Sequence, residues 1–491
     1  MHNQLKTFTK DFSPNDKFTL ITVALIVKAI FFVLFFPTEI VTPGMIGVQG
    51  GDTDSYFLPI EKLLNEGSYI PDYRMPGYGL IYFIIRLFID KVLAYNIVII
   101  LQWVLSSISI YFLAKSVFIA TGKTALFFIT FFLYLFSTST NVLDYYLLTE
   151  SFSTSALIFS IYFLVTYMNN NLKRSAILSG LFICWSIFMR PVLLPILGIY
   201  IFVIVRHFYI QKKTSRSIII NALLICLPFI VFDSIWTIRN YIIHNKLTPL
   251  TTTQYPLDIE LTYYNELMGF VIAWGGDRTW WNENAEIRWF INNEKKFGPY
   301  LKDLPDNIYT SKFNRDSLLK IKEGINIIDN PISDSSTKAK ATIKIKKSLK
   351  YFTESIAQEK PFLYYIKSKI QIGWKFIAHS GTPWLFQMKF SDLSIFKKMV
   401  KITYTIFYIL IMVLGFTGIL ILFVRSKNQH SGILLFPIIS LYLLIIHPFL
   451  GHVEYRYLIP IYPLMLVCSS YTILVNLEAI LNMIHNKFHK Q

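Results

Sequence analysis

Eight stretches of this 491-residue chain are apolar over a length that only a bilayer or a very large core could absorb. Crossing about 30 Å of hydrocarbon takes roughly 20 apolar residues. Residues 18–36, 95–114, 124–141, 151–168, 218–238, 402–424, 432–448 and 458–477 qualify. The stretch 176–205 is too long for one span and too short for two ideal ones, and Arg190–Pro191 interrupts it. We read it as two short spans meeting at Arg190, which makes about ten. With 54% of residues hydrophobic and 16% aromatic, a soluble enzyme is excluded. The excess of 47 Lys and Arg over 30 Asp and Glu does not indicate a nucleic-acid binder, because the basic residues fall between apolar runs and not in one patch. Cys184, Cys226 and Cys468 all lie within apolar runs, so no disulfide framework is expected.

The basic loops set the expected orientation. Lys6, Lys10 and Lys17, then Lys115–Lys123, Lys173–Arg174, Arg206–Arg216, Arg425–Lys427 and Lys487–Lys490 can all face the cytoplasm if neighbouring groups are separated by even numbers of crossings. Ten spans satisfy this, with both termini cytoplasmic. The first run is expected to be an uncleaved anchor, since no small-residue cleavage site follows Phe36–Pro37. Leu80–Ile89 is too short to cross and is placed in the outer interface. Lys397, Lys398 and Lys401 go against the scheme, standing just before a span on the outer side, although long translocated loops largely escape the charge rule. Three parts follow: an N-terminal transmembrane module, 1–240, with an outer loop at 37–94; an extracytoplasmic segment, 241–399; and C-terminal transmembrane helices, 400–491. In the outer loop, Ile60, Leu63 and Leu64 form a helical stripe that ends at Gly67; in the long segment, Ala341–Ala378 reads as helices separated by Pro361, and 330–336 as an exposed loop.

Ionisable residues collect at the outer ends of the runs. They include Asp52 and Asp54 in Gly50–Tyr56, then Asp144, Glu150 and Arg190, and further on Arg239–Asn240 and the segment Gly451–Tyr457 with Arg456. Charge near the membrane core costs about 2.5–3.5 kcal/mol per residue, so such groups face cavities or partners. One reading is a site for an anionic lipid head group, with Arg190, Arg239 and Arg456 holding phosphate and a carboxylate accepting a proton. The other is structural: arginines at span ends reach for phospholipid head groups, and acidic residues cap helices. On a helix Asp52 and Asp54 lie about 200° apart, so they do not form an adjacent dyad. His447, His452 and Glu454 match no zinc spacing, and no metal site is predicted, although a divalent ion is compatible with such chemistry. Lys28, inside the first run, is expected to be a buried partner of a carboxylate or a phosphate.

Several motifs then stand in a telling order: Asp52-x-x-x-Tyr56; Leu63–Leu64 with Gly67–Ser68–Tyr69; Arg74–Met75–Pro76–Gly77–Tyr78–Gly79; Leu148–Thr149–Glu150–Ser151; Met189–Arg190–Pro191; Trp236-x-x-Arg239–Asn240–Tyr241; and Arg456–Tyr457-x-x-Pro460. Together, over residues 20–465, they resemble the GT-C fold glycosyltransferases that use polyprenyl-phosphate sugars, the group around protein O-mannosyltransferases and the lipid A aminoarabinose transferase. The resemblance implies an all-α polytopic membrane protein, a GT-C-type bundle with interfacial helices in its first outer loop and a largely helical extracytoplasmic segment. It also implies Asp52 as catalytic base, and we expect Asp54, Tyr56, Arg74, Glu150, Arg190, Arg239, Asn240, Arg456 and Tyr457 to bind substrate. The donor would be a polyprenyl-phosphate sugar, in a bacterial inner membrane with the site on the extracytoplasmic face, and the acceptor a hydroxyl of a protein, lipid or glycan; membrane lipids are partners and nucleic acid is not. Family members carry an Asp-Glu pair where this chain has Asp52–Thr53, and Lys- or His-Pro-Pro where it has Arg74–Met75–Pro76–Gly77, so neither sugar nor acceptor is specified. Rival readings are a flippase or transporter of lipid-linked sugars, and a surface-polysaccharide polymerase or ligase of another fold. The first is disfavoured because charges gather at the outer ends, not at mid-membrane between repeats.

Overall fold

The structure, a computed structural model, describes residues 13–35, 43–71, 74–137, 142–250, 263–291, 302–386, 390–425 and 431–488. Lys6, Lys10, Lys427 and Lys490 and the step from Phe36 to Pro37 lie outside these residues. The chain is all-α: among the described residues only two isolated bridges, Val48–Tyr146 and Thr310–Phe313, pair extended backbone. In chain order the helices are α1 (Lys17–Phe35), α2 (Thr53–Glu66), α3 (Pro76–Arg86), α4 (Lys91–Thr121), α5 (Thr124–Leu135), α6 (Glu150–Asn170), α7 (Lys173–Met189), α8 (Ile196–Ile210) and α9 (Ser215–His244). They continue as α10 (Tyr263–Ala273), α11 (Arg315–Asp329), α12 (Ser335–Glu359), α13 (Ser368–Ile377), α14 (Ile395–Val424), α15 (Leu435–Phe449) and α16 (Tyr462–Phe488).

Among the described residues eight helices are long and apolar enough to cross a membrane. Of the ten expected, the remaining two are α5, with 12 residues, and α7, with 17. The break at Arg190 falls where the sequence puts it: α7 ends there in an extended residue, Pro191–Leu193 makes one 3-10 turn, and α8 starts at Ile196. In the outer loop, Gly67 stops α2 at φ +71°, a left-handed conformation that favours glycine. The run Leu80–Ile89 is helical only as far as Arg86, as the end of the 11-residue α3, which is below spanning length. In the long segment Asp334 caps α12, which starts at Ser335, so the last two residues of the loop expected at 330–336 are helical; the break between helices falls at Lys360–Pro361, where the sequence puts it.

The chain packs as two compact units: Met1–Gln254, Ser380–Leu441 and Ile459–Gln491 form the first, and Tyr255–His379 with Tyr442–Leu458 the second. The first unit joins its helices through small and hydroxylated residues, which let backbones approach where apolar side chains gain nothing over lipid. Ser153 pairs with Ser186 and Ser160 with Ser179 across α6 and α7. Gly415 and Gly418 of α14 lie against the backbone of α16 at Met465 and Cys468, and Ser469 donates to the Ile411 carbonyl at 2.7 Å. Lys28 of α1 has the carboxylate partner expected of it, Asp144 at 2.6 Å, both fully buried. The three anomalous lysines have local uses: Lys401 is buried and donates to the Phe386 carbonyl at 2.9 Å, while Lys397 and Lys398 lie over the rings of Phe386 and Phe390. The second unit has its own core, in which Phe270, Phe313, Leu349, Phe352 and Ile356 pack between α10, α11 and α12.

Candidate functional site

Two loops of the first unit are laced together before any catalytic side chain is placed. Val48 donates to the Tyr145 carbonyl at 2.8 Å and Leu147 to the Val48 carbonyl at 2.9 Å. Thr53, the first residue of α2, donates its hydroxyl to the Leu147 carbonyl at 2.8 Å. Gln102 of α4 fastens the same loop from below, giving its amide to the carbonyls of Asp144 and Tyr146 and accepting from the Tyr78 hydroxyl at 2.7 Å. Every donor and acceptor in this seam is buried and paired, which a low-dielectric interior demands. The start of α2, with Asp52, is therefore fixed beside the start of α6, with Glu150.

Asp52 occupies the position before α2, yet its side chain makes no capping bond. It pairs with Arg74, Oδ1 to Nη2 at 2.9 Å. The remaining Arg74 nitrogens are also committed to α2: Nε donates to Ser55 Oγ and Nη1 to the Tyr56 hydroxyl, each at 2.9 Å, and the guanidinium lies 4.4 Å from the centre of the Tyr56 ring. The planar fork of arginine suits such a multi-donor role. The two side chains keep 25% and 19% of their surface, so this pair is open while its surroundings are closed. Burial pushes the Tyr56 hydroxyl above its ordinary pKa, against the lowering effect of Arg74, so it stays a neutral phenol. Asp54, on the other side of the helix as the 200° offset requires, is exposed and does not join this cluster.

A second ion pair lies at the junction of α6 and α7, where Glu150 meets Arg190 at 2.7 Å with 2% and 8% of their surfaces exposed. Charges of both pairs act on the Tyr56 hydroxyl, though less strongly than burial does. The helix packing that sets this geometry depends on Gly77: a Cβ there would lie 2.7 Å from the carbonyl carbon and oxygen of Phe188, two residues before Arg190. Gly77→Ala is expected to push α3 off α7, costing about 1–3 kcal/mol as an overpacking substitution. The midpoint of thermal unfolding should fall; an unchanged midpoint would show that the close approach relaxes freely.

Arg239 and Asn240 lie near the end of α9. Arg239 donates to the Tyr69 carbonyl at 2.7 Å and to Asn240 at 3.0 Å, and lies over the Trp236 ring at 4.7 Å. Asn240 is fully buried and donates to the Thr248 carbonyl at 2.9 Å. Tyr69, Met75, Phe188 and Trp236 share one apolar cluster, which ties the α9 end to the loop that carries Arg74. Burial raises the Tyr69 hydroxyl to about 12. Arg456 and Tyr457 belong to the second unit, where Arg456 pairs with Glu454 at 2.9 Å and Tyr457 stacks on His452 at 4.0 Å. His447 and His452 face each other through their Nδ1 atoms at 2.9 Å. Among the described residues no group of three or more His, Cys, Asp or Glu side chains is placed to hold a metal ion.

Of the expected residues, the structure joins Asp52, Tyr56 and Arg74 directly, pairs Glu150 with Arg190, and pairs Arg239 with Asn240. Sequence reasoning missed Ser55, which accepts from Arg74, and Gln102, which is the hub of the seam. Gln102 had a signal, being a lone amide inside an apolar run, where polar side chains serve a purpose. Ser55 had none.

No protein-family model matches the sequence, and no curated protein matches it. Among solved structures, the chain is similar to the Archaeoglobus fulgidus oligosaccharyltransferase in its apo form, with a TM-score of 0.45 and 12% identity, covering 96% of this chain and 52% of that one. This chain thus spans about half the length of that protein. It is also similar to ArnT from Cupriavidus metallidurans, in the apo state (TM-score 0.32, 12% identity, 92% of this chain and 76% of that one) and bound to undecaprenyl phosphate (TM-score 0.33, 11% identity, 93% and 77%).

Proposed function

We propose that the chain is a membrane glycosyltransferase that moves a sugar from a polyprenyl phosphate to an acceptor hydroxyl at the extracytoplasmic face, with inversion and with Asp52 as base. The observation that carries this reading is the partly exposed Asp52–Arg74 pair, mounted on closed, hydrogen-bonded surroundings in the same unit as the Glu150–Arg190 pair. A carboxylate held next to guanidinium groups at the ends of apolar helices suits a substrate whose tail lies in lipid and whose phosphate lies at the interface. The motif order supports the same conclusion, since Asp52, Tyr56 and Arg74, which the resemblance groups, meet in space.

A lipid phosphate departs without protonation, so one carboxylate suffices where glycoside hydrolysis uses two. The acceptor oxygen would bond to the anomeric carbon as its proton passes to Asp52. The bond from that carbon to the phosphate oxygen would break, leaving its electron pair on polyprenyl phosphate. Arginine cations would offset the charge gathering there, and Arg74 would keep Asp52 oriented. A single in-line displacement inverts the anomeric centre. No nucleotide site is required, because the donor arrives lipid-linked. The basic loops support cytoplasmic termini and an outward site.

The reading is tested by incubating the purified full chain with a panel of labelled polyprenyl-phosphate sugars and candidate acceptors. At least one donor should lose its label to an acceptor and release polyprenyl phosphate; a panel in which none binds would contradict the reading. Arg239→Ala is expected to weaken donor binding about tenfold or more, as loss of a charge-assisted hydrogen bond worth about 1.5–3 kcal/mol implies. Unchanged affinity would move phosphate recognition to other residues.

A further inference from the structure

We infer that the helical stretch from Phe362 to Trp374 in the second unit lies in the bilayer interface, with one face in contact with lipid. Phe362, Ile366, Ile370 and Trp374 recur every four residues and are 65%, 48%, 65% and 74% exposed. Ser368, Ile372 and Phe376, two residues out of phase, are buried, and Leu363 joins the core of the unit. Leu363–Lys367 is a π turn that runs into α13; residues two apart lie on roughly opposite sides of a helix, and the exposures show that the protein covers one side of the stretch and leaves the other open. Four large side chains in one uncovered row form a patch that soluble surfaces avoid.

The occupant follows from what the patch adjoins. Gly373 lies against Pro448 in the last turn of α15, and Lys369 sits 5.9 Å from the Phe449 ring. Residues 431–449 form one of the membrane-spanning candidates, and Ile445 and Phe449 on them are themselves 54% and 56% exposed. The uncovered row thus continues the lipid-facing side of a span end. Its composition suits that depth: Trp374 and the exposed Tyr365 are interfacial residues, and Lys367 and Lys369 beside the row can reach head-group phosphates. An amphipathic helix lying in the interface plane has these properties.

The test uses the full chain in liposomes of phosphatidylcholine and phosphatidylglycerol, with Cys226, the half-exposed native cysteine, replaced by alanine. A nitroxide is attached to Ile370→Cys or Trp374→Cys, and for comparison to Lys347→Cys on the exposed side of α12. At 370 and 374 molecular oxygen should relax the label several-fold more effectively than a water-soluble nickel chelate, and at 347 the order should reverse. Dominance of the chelate at 370 and 374 would place the face in water, and shielding from both relaxants would place it under protein; either result overturns the inference. Neither outcome depends on Asp52 chemistry, so this test and the test of function fail independently.

Discussion

Glu150→Ala is expected to destabilise the protein by about 3–5 kcal/mol, the cost of removing one partner of a buried ion pair. Arg190 keeps only 8% of its side-chain surface, so the carboxylate 2.7 Å away is a charge partner that water replaces poorly at such burial. The position also couples secondary structure, because Glu150 opens α6 and Arg190 ends α7. Arg190→Met should cost a similar amount for the converse reason. The double variant Glu150→Ala with Arg190→Met should cost less than the sum of the singles, since it removes both charges of the pair together. Equilibrium unfolding in detergent measures all three. Single losses below about 1 kcal/mol would show that solvent reaches the pair and that its burial is not what stabilises the junction.

Asp52→Asn is expected to reduce transfer by about 10²–10⁴-fold, the usual contribution of a positioned general base. Asparagine matches aspartate in size and can still accept from Arg74 through its carbonyl oxygen, so the bonds of Arg74 to Ser55 and Tyr56 should survive. The fold should therefore remain intact. The loss should appear in turnover and not in donor affinity, as befits an interaction made while the acceptor proton moves. Asp54→Asn is the matched control. Its exposed side chain lies outside the Arg74 cluster, so transfer should change little beyond the small effect of removing a charge from the first turn of α2. A large loss in Asp54→Asn would assign the proton to the other carboxylate.

The fold was readable where one physical constraint dominated. Twenty apolar residues have few alternatives to a membrane helix, and Arg190–Pro191 inside such a run breaks it for reasons of charge and backbone together. Gly67 was readable as the end of α2 because the stripe of Ile60, Leu63 and Leu64 stops there. The side chains that meet in the candidate site could be singled out in the sequence, but their pairings could not. Asp52 and Arg74 are 22 positions apart, joined by the turn that Gly67 starts, and Glu150 and Arg190 are 40 apart, joined by a helical hairpin; no local pattern announces either contact. The seam from Val48 to Tyr146 depends on backbone hydrogen bonds, to which side-chain identity gives almost no clue. In the second unit, Asp277 binds Thr279 and Asn282 while Glu286 pairs with Lys375, a polar arrangement whose partners are as much as 89 residues apart. Such distant pairings leave no local pattern in the early part of the long segment, whereas α12 carries a regular apolar face.

The most direct measurement records donor affinity and single-turnover transfer on the same preparation of wild-type and Asp52→Asn protein, using whichever labelled polyprenyl-phosphate sugar the panel identifies. The account predicts donor binding unchanged within a few-fold and transfer reduced by about 10²-fold or more. Transfer by Asp52→Asn at the wild-type rate would contradict it, since the acceptor proton would then need another destination.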